Sequence, residues 1–68
     1  MKKTINIEGM SCMHCVAAVK GALEELDNIT SVEVSLEQSE AVVNGENLID
    51  DLLKSCIEEE GYIVKSIN

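Results

Sequence analysis

The chain has 68 residues and carries 13 Asp and Glu against 5 Lys and Arg, a formal net charge of −8. That length holds one small domain, here residues 1–68, and that charge repels phosphate backbones and anionic lipids, which sets aside nucleic-acid and membrane-surface binding. No apolar run nears the roughly 20 residues of a bilayer-spanning helix, and Met1-Lys2-Lys3 has no apolar stretch behind it, so the expectation is a cytoplasmic protein without a signal peptide or membrane insertion.

Thr4 to Glu8 alternates polar and apolar as a half-buried strand does, with Ile5 and Ile7 on the core face. Gly9 ends it. After Met10-Ser11-Cys12-Met13-His14-Cys15, the residues Val16, Val19, Ala22, Leu23 and Leu26 recur at helical spacing. They predict an amphipathic helix from about Cys15 to Leu26, with Lys20, Glu24 and Glu25 facing water and Asp27-Asn28 closing it. Val32, Val34 and Leu36 alternate with polar residues as a second strand, and polar Glu37 to Glu40 reads as a hairpin loop. Ala41 and Val43 form the inner face of a third strand, stopped by Asn44 and Gly45, and pair antiparallel with the second.

Asn47 is a good N-cap for a second helix. Its expected apolar stripe is Ile49, Leu52, Leu53, Cys56 and Ile57, opposite Asp50, Asp51, Lys54 and Glu58. Gly61 stands where a C-terminal glycine belongs, and Tyr62 to Ile67 is a last strand. The order is βαββαβ: an α+β domain with a four-stranded antiparallel sheet and both helices on one face. Phe and Trp are absent and Tyr62 is the only aromatic residue, so the core is built from aliphatic side chains and its stability margin is modest.

Three cysteines, an odd number, argue against a disulfide framework in a reducing compartment. Cys12 lies in the loop and Cys15 opens the first helix, where backbone N–H groups and the helix dipole favour thiolate over thiol. Two such thiolates form a low-coordination site for a soft ion such as Cu(I). A closed zinc site needs four ligands, and only His14 and Cys56 are available to complete it. The other chemistry open to the pair is thiol–disulfide exchange.

Gly9-Met10-Ser11-Cys12-Met13-His14-Cys15, the element order and Gly61-Tyr62 resemble the heavy-metal-associated domain family, and within it the small bacterial copper chaperones. The resemblance covers essentially the whole chain. It implies a ferredoxin-like fold, Cu(I) held by Cys12 and Cys15, and ligand-exchange transfer to a similar metal-binding domain on a copper-transporting P-type ATPase. It also implies a carrier, not an enzyme, monomeric without metal and able to form a metal-bridged dimer. Met10 matches a motif methionine that packs inward and braces the loop, Tyr62 a tyrosine beside the metal loop, and His14 a histidine between the cysteines. Gly45 departs from the pattern, falling where the family often has a large apolar residue. The connection to the second helix is short, and the surface is unusually acidic.

The residues leave alternatives open. Met10 is either a thioether ligand or an inward-packed side chain. His14 either tunes the thiolates or is an exposed loop residue, and Tyr62 both shields the loop and starts the last strand. Cys56 reads as a small buried hydrophobe. The same site also fits a metal-binding domain of a P-type ATPase, or a carrier of Hg(II) or Zn(II). A thiol–disulfide oxidoreductase is the reading from another class.

Overall fold

The structure, a computed structural model, describes residues 1–68. Its elements run β1 (Lys2–Glu8), α1 (Met13–Glu24), β2 (Ile29–Ser35), β3 (Glu40–Gly45), α2 (Asp50–Glu58) and β4 (Ile63–Ile67). The strands form one sheet in the order β2-β3-β1-β4, antiparallel throughout. β1 is therefore central, and the loop that follows it leaves from the middle of the sheet. Alternation sets its register: Ile5 faces Ala41 on one side and Ile67 on the other, all turned toward the helices. A register shift between Asn6 and Ile7 bends the pairing with β4 near the same end of the sheet.

The helices cover one face, α1 against β2 and α2 against β4, with the helices touching each other. Between the layers lie Ile5, Ile7, Val19, Leu23, Val43, Leu53 and Ile57, each at most 2 % exposed. No aromatic side chain is among the buried residues, as the composition requires.

Three local expectations are corrected. α1 begins at Met13, not Cys15, because Cys12 is itself the extended N-cap: its carbonyl accepts from Cys15 N–H at 3.0 Å and Val16 N–H at 3.3 Å. The helix also stops at Glu24, where acidic side chains gather and no basic residue complements the negative end of the dipole. Asn47 is not the N-cap of α2. It sits in a turn at φ +53°, and Ile49 occupies the cap with no side-chain hydrogen bond. Asn, which favours caps, also tolerates the left-handed turn, and the tight connection uses that property instead.

The third correction concerns the stripe on α2. Ile49 and Leu52 are each 53 % exposed, while Leu48, from the connection, is buried at 6 %. The nine-residue helix turns Leu53 and Ile57, one helical turn apart, toward the sheet. Leu48 fills the neighbouring space, so the outer apolar residues are left at the surface. The salt bridge from Lys3 to Asp50, at 2.6 Å, ties the start of α2 to β1.

Gly45 is buried where β3 ends, and a Cβ there would lie 2.1 Å from the Asn28 carbonyl oxygen. That oxygen accepts from Glu46 N–H at 3.0 Å. Asn28 Nδ2 donates to the carbonyls of Glu46 and Asn47 at 2.7 and 3.0 Å. The loop after α1 is thereby laced to the loop before α2, and this close approach requires glycine.

Candidate metal centre

Cys12 and Cys15 bracket the first turn of α1, with their Sγ atoms 3.7 Å apart. A disulfide would bring the sulfurs to about 2.05 Å, so both are free thiols. With metal–sulfur distances of about 2.3 Å, two sulfurs up to about 4.6 Å apart can share one ion. The pair fits a single soft ion without rearrangement of the helix. Cys12 is exposed and Cys15 half-buried, so one sulfur meets solvent while the other is held against the fold.

The electrostatics follow from the helix start. No acidic residue lies in the first turn of α1, so its positive end is left to the thiolates. The Cys15 thiol is lowered from an ordinary 9.0 to about 6, first by hydrogen bonding from the Ser11 backbone, then by the Tyr62 phenol and by Cys12, against an opposing contribution from partial burial. The reciprocal effect pushes Tyr62 up from 10.0 to about 12, chiefly because its hydroxyl donates toward the Cys15 sulfur. A phenol that serves as donor to a thiolate is costly to ionise.

Gly9 turns the chain out of β1 beside Tyr62. Its φ is +106°, and a Cβ there would meet the tyrosine ring at 3.5 Å. Glycine supplies the left-handed turn out of β1, and the 3.5 Å is an ordinary contact, so the backbone conformation and not the space beside the ring calls for it. Met10, 8 % exposed, is part of the core cluster under the loop. His14 and Met13 are exposed. Cys56 lies elsewhere, half-buried between the helices, with its Sγ donating to the Ala22 carbonyl at 3.1 Å. Burial, then Glu59, Glu60 and Glu25, push its thiol up.

The structure thus brings Cys12, Cys15 and Tyr62 together, while Met10 joins the hydrophobic core. No group of three or more His, Cys, Asp and Glu side chains converges to hold a metal, so His14 and Cys56 do not complete a four-ligand set with the pair. The Ser11 backbone was the contributor not anticipated from sequence. Its signal was its place just ahead of the first cysteine, next to the N-cap of α1.

Comparison with known proteins finds relatives over nearly the whole chain. A copper chaperone from Staphylococcus haemolyticus, CopZ, is 45% identical, covering 96% of this chain and 98% of that protein. The solved structure of a CopZ metallochaperone superposes with a TM-score of 0.90 at 38% identity, covering 94% of this chain and 98% of that one. A copper-binding domain from HMA7, a P-type ATPase, superposes at 0.88 with 25% identity, over 100% of this chain and 99% of that domain. The family model of the heavy-metal-associated domain matches residues 4–62. With its fold, its loop and this match in agreement, the chain belongs to the heavy-metal-associated domain family.

Proposed function

We propose that this protein is a cytoplasmic carrier of Cu(I), held between Cys12 and Cys15 and passed to the metal-binding domain of a copper-transporting P-type ATPase. The observation that carries the reading is the open pair of sulfurs 3.7 Å apart at a helix start, with no His, Asp, Glu or further Cys converging on them. A two-sulfur site suits a soft monovalent ion and leaves structural zinc two ligands short. The copper chaperones among its relatives, and the P-type ATPase domain of the same fold, support both cargo and recipient.

Transfer is ligand exchange without change of oxidation state. An incoming thiolate of the recipient bonds to the ion from the solvent side, at exposed Cys12, and the ion–Cys12 bond breaks first. Cys15, half-buried and lowered to about 6, stays a thiolate at neutral pH and keeps hold until a second recipient thiolate replaces it. Each bond made matches one broken, so the protein turns over no substrate. The exposed sulfur also allows two copies to share ions when copper exceeds recipient.

The test is competition of the reduced protein against a coloured Cu(I) chelator, with Zn(II) measured alongside. Tight binding of one equivalent of Cu(I), lost in Cys12→Ser with Cys15→Ser, is the expected result. Retention of tight binding in that double variant would overturn the reading. Weak Cu(I) binding by the parent chain would bring forward thiol–disulfide exchange, read by insulin reduction.

A further inference from the structure

The outer surface of the helical layer carries a second feature, separate from the metal loop. A groove of about 250 Å³ runs between the C-terminal half of α1 and the length of α2. Ala22, Leu26, Leu52 and Cys56 form its apolar lining, and Glu25, Glu59 and Glu60 supply its acidic members. Neither cysteine of the metal pair lines it. Leu52 is 53 % exposed, a large apolar side chain on a short helix with about half its surface open to solvent.

The occupant follows from volume and charge. The groove lies below the ~300–1,000 Å³ of a small-molecule site, and it has room for an aliphatic side chain of another protein. Of the two lysines on the helices, Lys20 and Lys54, neither lines it, so no internal cation answers its three carboxylates. A second copy of this chain would bring the same carboxylates and another net charge of −8, and an anionic membrane is repelled in the same way. No set of His, Cys, Asp and Glu there is arranged for a metal.

We infer that the groove between α1 and α2 is a docking site for a basic amphipathic segment of a partner protein, an aliphatic anchor seated on Leu26 and Leu52 with flanking Lys or Arg paired to Glu25, Glu59 and Glu60. Anchors of this kind supply affinity, and the charges supply orientation and rate. The inference stands apart from the copper reading, because its residues bind no metal.

The probe is a short synthetic Leu/Lys amphipathic helix, titrated into the reduced, metal-free protein and followed by backbone amide NMR shifts. A control peptide keeps the lysines and replaces each Leu by Ser. The expected result is saturable binding with shifts centred on Ala22, Leu26, Leu52 and Cys56, absent with the control peptide. Leu52→Gln keeps every charge and alters only an exposed side chain. It is expected to weaken binding about tenfold while the protein's own spectrum stays dispersed and its Cu(I) affinity unchanged. Glu59→Gln with Glu60→Gln is expected to weaken binding and flatten its salt dependence. Equal binding of the control peptide, shifts scattered over the acidic surface, or an unaltered affinity in Leu52→Gln would each overturn the inference.

Discussion

Tyr62 and Cys15 hold one another in opposite protonation states, and the signs follow from their shifts. Cys15 falls from 9.0 to about 6, so its contribution to stability is complete above pH 9 and is lost as pH falls through about 6. Tyr62 rises from 10.0 to about 12, so its contribution is complete below pH 10 and is lost as pH rises through about 12. Alkylation of Cys15 by iodoacetamide, followed by peptide mass mapping, is expected to show a midpoint near pH 6. Tyr62→Phe is expected to move that midpoint upward, since the Phe ring keeps the packing and loses the donor. An unmoved midpoint would mean that the Ser11 backbone and Cys12 hold the thiolate without help. The pair of cysteines was legible from spacing alone, and the tyrosine entered through the resemblance. Its hydrogen-bonding role was not legible, because residues far apart in sequence meet only once β4 lies beside β1.

Among the elements, the strands were the easiest to read, because alternation of Ile5 with Ile7 and of Ala41 with Val43 states both the conformation and the buried face. Helix ends were harder. Asn47 satisfies the rules for a cap and for a left-handed turn equally well, and only the length of the connection decides between them. The stripe on α2 misled for a related reason. Periodicity reports which residues share a helix face, whereas the width of that face actually covered depends on how much sheet and neighbouring helix lie beneath. Gly45, the departure from the family pattern, has its explanation at this scale: it lets β3 meet Asn28 at the junction of two loops. Gly45→Ala is expected to destabilise the fold by about 1–3 kcal/mol, or more if the Asn28 hydrogen bonds are lost. Urea denaturation measures it, and a midpoint equal to the parent's would show that the loops shift freely.

For the molecule as a whole, 13 acidic groups against 5 basic ones make self-repulsion the dominant long-range field. One ion pair, Lys3 with Asp50, offsets little of it. Added salt shortens the reach of that repulsion to about 8 Å at physiological ionic strength and less above it. The metal-free protein is therefore expected to melt at higher temperature as NaCl is raised from low to molar concentration, followed by far-ultraviolet circular dichroism. A melting temperature that falls with salt would place attractive pairs ahead of net charge. The aliphatic core, small for its surface, makes the molecule sensitive to such shifts.

Because Tyr62 is the chain's only aromatic residue and stands beside Cys15, the protein carries a single native chromophore placed beside its cysteine pair. Ultraviolet emission and near-ultraviolet dichroism come from that one phenol, undiluted by signals from the core. On the proposed carrier function, loading of the loop, its oxidation and the approach of a recipient would each be watched without a label, through a residue whose neighbours are already known.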